Sequence, residues 1–460
     1  MGIMLSKNED VSTPMMVLST YIAGAAKRRL PADVLEKTKH HVLDTLAAMI
    51  SGSRLKPGEM AIKFARSQGG KKEATVIGTK LVTSSINASM ANGMLAHADE
   101  TDDSHQRGRL HPGCATIPAA LAVSEREGKN GRAFLKAVAT GYDLGVRVNL
   151  ARGPKVQDDE GHSAHTTGSL FGATAAAGSL MNLNPSQVRH MFSYACQQAS
   201  GIPSWTRDPE HIEKAFDFGG MPARDAVTAA TIVGLGFTGV EDVFSGARNF
   251  FDIFSDDPRP HELIKGLGTR YEIMDAQIKK WSVGMPNQAV LDSLEVIITK
   301  HKPKVEEIKS ITIYLPNRRF HISDNVLMPD ICTQHLASIM LLDSTVTFAT
   351  SHNEARMKAN DVMALRKRIT LVPSDALAKA KPMRQAIAEI ELMNGKKLKH
   401  RTRAVHGTPQ KPMTRDDIEA KSLDLIAPIV GKANAQKLFK TVWSLEKVKD
   451  MGKLRPLLQA

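Results

Sequence analysis

The chain has 460 residues, of which 42% are apolar and 24% charged, and its net charge is +13. These proportions exclude a disordered, collagen-like or low-complexity chain and are typical of a globular protein large enough for two domains. The three cysteines, Cys114, Cys196 and Cys332, lie far apart. This spacing excludes a disulfide framework and a CxxC metal knuckle and favours a reducing compartment. The first residues show no secretory signal, and no stretch is apolar enough to cross a bilayer, so we expect a soluble, cytoplasmic protein without membrane contact.

The positive charge is spread along the chain, with its densest cluster at residues 396–403. Single-strand nucleic-acid sites interleave basic residues with aromatic ones, and this cluster contains no aromatic residue. The sequence therefore predicts a solvated basic hairpin and no nucleic-acid partner. A positive potential also attracts small anions, including di- and tricarboxylates.

The first part of the chain has helical periodicity with clear start and stop signals. Apolar residues recur at helical spacing from Leu35 to Ile50, and an apolar helix is expected through Ile86 and Leu95. A further helix is predicted from Pro112 to Glu127, and Asn130 can cap the next one, which runs through Leu144.

The same pattern continues toward residue 267. The segment Ser169 to Leu180 is rich in alanine and glycine, which predicts a helix buried on most sides, where backbones approach closely. Asn184-Pro185 predicts another helix start, and Thr238 with Glu241 fits a capping box. An all-α domain with a large core is expected from these residues.

The pattern changes after about residue 268. Residues 311–315 and 388–392 alternate with strand period, and Asn394-Gly395 predicts a type I′ hairpin turn into the basic segment. Helices are expected at about 287–299 and 333–342, so residues 268–408 look like a smaller α+β domain. From Thr414, which can cap a helix, the chain reads as helical to its end. If a chain with two such domains is an enzyme, its active site is expected by default in the cleft between the domains.

The segment 97–111 holds four carboxylates and three imidazoles within fifteen residues. It lies between two apolar helices, where functional groups are commonly held. One interpretation is capping, in which Asp102, Asp103 or Ser104 binds backbone N–H groups. A second is a metal site, as in a metal-dependent hydrolase, although HxDExxDxH matches no zinc motif such as HExxH. A third is acid–base catalysis without metal by His111 and a carboxylate.

Three other segments carry candidate residues. His165 stands just before the Ala/Gly-rich helix, where it can meet an anion at the helix N-terminus or act as a cap or core residue. Lys214 is flanked by aromatic residues, which favours a partly desolvated ammonium, but it can also be a surface lysine paired with Glu213. Lys279 and Lys280 lie where the second domain begins, so either can bind a substrate carboxylate from across the cleft.

Taken together, these motifs resemble the MmgE/PrpD family over nearly the whole chain. The family loop H-x-x-D-F-D-D-T, followed by H-P, is similar to the segment from His97 to Ser104 with His111-Pro112. The segment from Gly141 to Arg147 is similar to the family's G-Y-E-x-x-x-R helix, and His165-Thr166-Thr167 resembles its D-H-T-T segment. Lys214 matches a lysine associated with the family site, and Lys279 or Lys280 matches the K-x-(Y/F)-P lysine.

The resemblance implies a mostly α protein with a large all-α domain, residues 1–267 and 409–460, and a smaller α+β lid domain, residues 268–408. It also implies a homodimer, no cofactor, no metal and a small polycarboxylate substrate. The family's chemistry is removal of a proton next to a carboxylate, giving a hydro-lyase of the 2-methylcitrate dehydratase type or an isomerase. Iminodisuccinate epimerase-like and cis-aconitate decarboxylase-like activities are alternatives.

The resemblance also suggests roles for individual residues. His111 and His165 are expected to transfer protons, and Glu100 is expected to tune or orient one imidazole. Ser104, Lys214 and Lys279 or Lys280 are expected to bind substrate carboxylates. Two departures from the family pattern stand out. Glu100 replaces the usual aspartate, and Gly284 stands where the decarboxylase has a histidine, which makes decarboxylation the less favoured activity.

Overall fold

The computed structural model describes residues 10–154, 156, 161–317 and 320–460, and the chain is mostly α-helical. It divides into two compact units. The first unit comprises the described residues up to Ala276 together with Leu425–Ala460, and the second is Gln277–Asp424. Residues 1–9, on which the expectation about a secretory signal partly rests, lie outside the described residues. Within the described ranges, no helix has both the length and the apolar character needed to cross a membrane.

The first unit is built from helices and one two-stranded antiparallel ribbon. A π-helical turn, Phe216–Gly220, joins the ninth and tenth helices. The helices are α1 Thr13–Ala23, α2 Ala32–Gly52, α3 Lys56–Gln68, α4 Ser85–Ala96, α5 Gly113–Arg126, α6 Gly131–Ala151, α7 Ala164–Leu180, α8 Pro185–Gln198, α9 Ile212–Ala215, α10 Met221–Gly234 and α11 Phe250–Phe254, with α19 Lys432–Trp443 and α20 Arg455–Leu458 near the C-terminus. The ribbon strands are β1 Ala74–Thr75 and β2 Val82–Thr83, and the boundary between the units falls inside α18, Arg415–Val430.

Helix α7 is the central element of the first unit, because every residue in it except His165 is buried. Its close contact with α6 depends on glycine. A Cβ on Gly145 would lie 2.6 Å from the carbonyl oxygen of Gly168, and a Cβ on Gly141 would lie 2.7 Å from that of Gly172. The two backbones therefore pack directly on each other, as the Ala/Gly-rich composition predicts.

Most of the predicted helix starts are confirmed. The Asn130 side chain accepts the backbone N–H of Ala133, and Asn184 forms a reciprocal capping box with Gln187. The capping box at Thr238 is wrong, because the backbone from 238 to 249 is irregular. Glu241 is instead bound by the side chains of Arg189 and His190, so it cannot complete a cap.

The second unit combines helices with a four-stranded mixed sheet of order β4-β3-β5-β6. Strand β3 runs parallel to β4 and antiparallel to β5, and β5 and β6 form a hairpin. Helices α12 and α13 contribute buried apolar residues to the same core as the sheet. The strands are β3 Ile308–Pro316, β4 Ile369–Ser374, β5 Ala386–Leu392 and β6 Lys397–Thr402; the helices are α12 Met285–His301, α13 Thr333–Asp343, α14 Phe348–Ser351, α15 Glu354–Met357, α16 Asn360–Arg366 and α17 Asp375–Lys379.

The β5–β6 hairpin is confirmed, but its turn is not type I′. That turn needs positive φ at both central residues, and in this loop only Gly395 has one, at 82°. The amide of Gly395 bonds to the carbonyl of Leu392, which gives a three-residue loop that ends in a left-handed glycine. On the basic strand, Lys397 and Lys399 both pair with Glu389 on β5.

Candidate active site

The loop between α4 and α5 carries the polar cluster and is held by its own hydrogen bonds. The Asp99 carboxylate accepts the backbone N–H of Thr101 at 3.0 Å and its hydroxyl at 2.5 Å. Farther along, the amide of His105 bonds to the carbonyl of Leu110 at 2.8 Å, which closes the loop. Short polar side chains that bond to nearby backbone favour such turns over helix.

Asp103 anchors this loop to the helices beneath it. One of its oxygens accepts the N–H of Gly113 at 3.0 Å at the start of α5. The other accepts Nδ1–H of His41 at 2.6 Å and the hydroxyl of Tyr142 at 2.5 Å. Burial alone would raise the pKa of Asp103, but the hydrogen bond from His41 and the other donors hold it below its usual range. The capping interpretation therefore applies to Asp103, although its other bonds go to side chains.

Asp102 bridges two histidines. Its oxygens lie 3.0 Å from Nδ1 of His97 and 3.0 Å from Nδ1 of His111. Against the effect of burial, these two imidazoles hold the pKa of Asp102 well below its usual range, so the carboxylate is ionised and only accepts hydrogen bonds. Both histidines therefore donate Nδ1–H to Asp102, and Nε2 is the ring nitrogen of each that Asp102 does not contact. The His111 side chain is 11% exposed, whereas that of Asp102 is fully buried.

Phe218, on the π-helical turn, is stacked between two imidazoles. Its ring lies 4.5 Å from that of His97 at 17° and 4.0 Å from that of His165 at 10°. The turn is brought against α4 by a contact between glycines, because a Cβ on Gly93 would lie 2.2 Å from the carbonyl oxygen of Gly219. A π-helical turn at this position fits the tendency of such turns to occur at functional sites.

His165 lies in the first turn of α7, whose N-cap Ser163 accepts the backbone N–H of Thr166. The ring centroid of His165 lies 5.5 Å from that of His111. Its Nδ1 is buried and has no hydrogen-bond partner among the described residues. Burial and then the nearby positive groups, including His111 and Arg109, lower the pKa of His165 well below its usual value. His165 is therefore a neutral imidazole at neutral pH.

Lys214 forms an ion pair with Glu100. Its ammonium also lies 5.5 Å from the ring centre of Trp205 and 5.3 Å from that of Phe218, which are cation–π distances. Glu213 instead accepts a hydrogen bond from Ser204. The ammonium is thus held at the cluster rather than paired with its sequence neighbour.

Within the described part of the chain, three groups of side chains could hold a metal ion. They are His97 with Glu100 and His211; His97 with Asp102 and His111; and His105 with Glu272 and Asp275. His211 has its ring 5.1 Å from that of His97 and takes a left-handed backbone conformation with φ of 62°. A non-glycine residue in that conformation is uncommon and is often found at a functional position.

The structure brings four of the predicted residues together in the first unit: His111, His165, Glu100 and Lys214. Ser104 lies in the same loop and is 8% exposed. The remaining two lysines belong to the second unit. There, Lys280 pairs with Glu295 at 2.5 Å and lies over the ring of Trp281, whereas the Lys279 side chain is buried.

Sequence reasoning missed the residues that hold the candidate groups in place. Asp102 and His97 are inside the cluster, but nothing local shows that one carboxylate serves two imidazoles. Phe218 was expected only to desolvate Lys214, whereas it also separates His97 from His165. His211 stands more than a hundred positions from His97, so no spacing signal could join them.

Comparison with known proteins identifies the chain. The MmgE/PrpD N-terminal domain model matches residues 17–263 and the MmgE/PrpD C-terminal domain model matches residues 281–447. The chain belongs to the MmgE/PrpD family.

Three named proteins are similar to this chain. A cis-aconitate decarboxylase-like protein, oryM, of Aspergillus oryzae is 24% identical, over 93% of this chain and 94% of its own. Cis-aconitate decarboxylase of Homo sapiens is 23% identical, over 96% and 93% of the two chains. A cis-aconitate decarboxylase of Aspergillus terreus is 21% identical, over 93% and 92%. These alignments cover nearly the full length of each protein.

Proposed function

We propose that this protein is a cofactor-independent lyase that removes a proton next to a carboxylate of a small di- or tricarboxylic acid, with dehydration as the reaction. The observation that carries the proposal is the pair of imidazoles, His111 and His165, with ring centroids 5.5 Å apart in different environments. His111 is held by an ionised carboxylate, and His165 is neutral because desolvation of its ring and the positive groups around it lower its pKa. Two proton-transfer groups in distinct environments can act as base and acid in one reaction.

In this mechanism one imidazole takes the proton from the carbon beside the carboxylate. The negative charge that develops on that carboxylate needs a cation, and the Lys214 ammonium pairs with Glu100 and lies 5.3 Å from the centre of the Phe218 ring, on which His165 stacks. The other imidazole, which has to start in its protonated form, gives a proton to the departing hydroxyl, which leaves as water. The Asp102 carboxylate stabilises the protonated form of His111, and Ser104 is the hydroxyl we assign to a substrate carboxylate.

A further cation is expected from the second unit, and we propose Lys279. The Lys279 side chain is buried, whereas Lys280 pairs with the exposed side chain of Glu295, and we therefore assign Lys279 to this role. The proposal also includes a lid role for the unit Gln277–Asp424, a homodimer and a cytoplasmic location. The lid role would be tested by measuring whether substrate protects that unit from hydrogen exchange. The homodimer would be tested by measuring the mass of the protein in solution.

Decarboxylation is the second candidate, because the similar proteins named above are cis-aconitate decarboxylases or decarboxylase-like. In that reaction the bond from carbon to a carboxylate breaks, CO2 leaves and an imidazole protonates the carbon. Gly284, at the N-cap of α12, supplies no side chain for that step. Return of the proton to the opposite face of the carbon would give epimerisation by the same two imidazoles.

The deciding experiment is proton NMR in heavy water with the chelator-treated, full-length protein. The panel comprises citrate-like, malate-like and aconitate-like acids and amino- or iminosuccinates. We expect loss of water together with deuterium exchange at the carbon beside a carboxylate on at least one acid. Release of CO2 would select decarboxylation, and deuterium exchange with inversion alone would select epimerisation.

Substitutions connect the result to the site. His111→Ala and His165→Ala should each abolish turnover, whereas His261→Ala, a change at an exposed histidine, should leave it unchanged. Lys279→Met should raise KM more than Lys280→Met does. Wild-type turnover in both folded histidine variants, or activity that returns only when metal is added, would show that the proposal is wrong.

A further inference from the structure

Among the buried imidazole nitrogens near the candidate site that have no hydrogen-bond partner within the described residues, two belong to neighbouring rings. They are Nε2 of His97 and Nε2 of His211, on side chains that are fully buried and 5% exposed. Buried polar atoms are nearly always satisfied, and each exception calls for an explanation. The His211 backbone is also left-handed, with φ of 62°. Its ring is therefore held beside His97 in spite of an unfavourable backbone conformation.

A third ligand group lies beside these two histidines. One nitrogen from each imidazole and one carboxylate oxygen of Glu100 lie within 4.8 Å of one another, and all three residues are buried. Small side-chain rotations would bring such atoms to the bond lengths of a zinc ion, about 2 Å. Two imidazoles and one carboxylate are a donor set that zinc-class ions accept, whereas magnesium and calcium prefer oxygen alone.

The surroundings of His97 also fit a metal ligand. Its Nδ1–H donates to the ionised Asp102 at 3.0 Å, which leaves Nε2 as the nitrogen that can bind a metal ion. Histidines that bind metal almost always donate their other ring N–H to a carboxylate, carbonyl or water, because this fixes the ring and makes the ligating nitrogen more basic. His97 therefore has its orienting partner in place.

From these contacts we infer that His97, His211 and Glu100 form an inhibitory site for a zinc-class divalent cation. Glu100 is held by the ammonium of Lys214, so an ion that takes this carboxylate must displace the ammonium. Zinc binding and the Glu100–Lys214 ion pair are thus mutually exclusive. The inhibition rests on the function proposed above, since Lys214 is there assigned to the substrate, but the binding of the ion does not.

The test measures metal binding and turnover separately on the full-length, chelator-treated protein. Equilibrium dialysis with zinc gives the affinity, and cobalt(II) absorption reports coordination at a single site. His211→Ala should weaken zinc binding at least about tenfold, as loss of a ligand exceeds the 10–100-fold effect typical of second-shell changes. Lys214→Met should tighten it by about tenfold, because it removes a competing positive charge. His261→Ala, at an exposed histidine, should leave the affinity unchanged.

The opposite signs of the two substitutions distinguish a specific site from general damage, since a variant that merely misfolds does not bind zinc more tightly. Equal zinc affinity in the wild type, His211→Ala and Lys214→Met would overturn the inference. Zinc binding that follows the expected order without any turnover on the acid panel would support the site and refute the proposed function. An active enzyme that is not inhibited when its zinc site is full would overturn the inhibitory role.

Discussion

The Asp102 carboxylate is the group whose replacement tests the candidate site most directly. Asp102→Asn keeps the shape of the side chain but replaces one acceptor oxygen with an NH2 donor. The structure has two imidazole N–H groups, each 3.0 Å from an Asp102 oxygen. Since asparagine accepts from only one of them, the other imidazole must move its hydrogen from Nδ1 to Nε2. If His111 is that imidazole, its Nε2 carries the hydrogen and can no longer accept a proton.

The size of the effect follows from the hydrogen bond that is lost. A hydrogen bond to a charged group contributes about 1.5–3 kcal/mol. At about 1.36 kcal/mol for each tenfold change in rate, its loss lowers kcat/KM about 10- to 150-fold. Because the variant is nearly isosteric and both neighbours remain, we expect the protein to stay folded, with a cooperative thermal transition.

The assay uses initial rates on the acid that the heavy-water panel identifies, with nitrogen-15 NMR of the imidazoles as a readout that does not need activity. Asp257→Asn is the matched control, because Asp257 is 54% exposed and pairs only with the surface residue Arg259 among the described residues. Turnover within twofold of the wild type, with Nδ1 of both His97 and His111 still protonated, would refute the reasoning.

Three further substitutions test the framework of the first unit. Phe218→Ala removes the ring between two imidazoles and should destabilise the protein by about 3–5 kcal/mol in urea unfolding; less than 1 kcal/mol would contradict its central packing. Gly93→Ala places a Cβ 2.2 Å from the carbonyl oxygen of Gly219 and should destabilise the protein by about 1–3 kcal/mol and lower turnover, so a neutral result would show that this contact is dispensable. Burial lowers the pKa of His105 to about 4 from 6.5, and its Nδ1 accepts the N–H of Gly108. As the pH falls from 6.5 to 4, His105 therefore becomes protonated in the unfolded chain but not in the native protein. This difference lowers the free energy of unfolding by up to about 3 kcal/mol. His105→Asn keeps the acceptor and should flatten this part of the stability–pH curve, whereas an unchanged slope would assign the titration to other groups.

Local sequence signals predicted the elements whose causes are local. Asn130 and Asn184 accept backbone N–H groups three residues ahead, so the helix starts could be predicted without knowledge of the fold. Strands β3 and β5 could also be predicted, because alternate residues of each strand are buried in the core. Strand β4 was missed because it pairs in parallel with a strand about sixty residues earlier and contains Pro373, which argues against a strand except at an edge. It is indeed at the edge of the sheet.

The candidate site was predictable in its residues but not in its pairings. The segment 97–111 was chosen as a candidate site because polar groups in a loop between two apolar helices often have a functional role. The assignment of Asp102 to two histidines, and of Glu100 to Lys214, depends on where the π-helical turn lies. That position depends on the close contact of Gly93 with Gly219, two glycines far apart in sequence. A long-range backbone contact leaves no local pattern, which is why Phe218 and His211 could not be placed beforehand.

The charges of the described site explain why both proposals address the same residues. Glu100 and Lys214 neutralise each other, Asp102 is ionised, and burial keeps His165 and His211 neutral by lowering the pKa of each. A di- or tricarboxylate adds two or three negative charges, so it can bind only if further cations reach it, which is the reason for assigning Lys279 to the substrate. A divalent cation needs no such help, because the neutral imidazoles and the carboxylates already present are its ligands. Substrate and zinc therefore place opposite demands on Lys214: the substrate requires its ammonium in the site, and the metal requires it to leave.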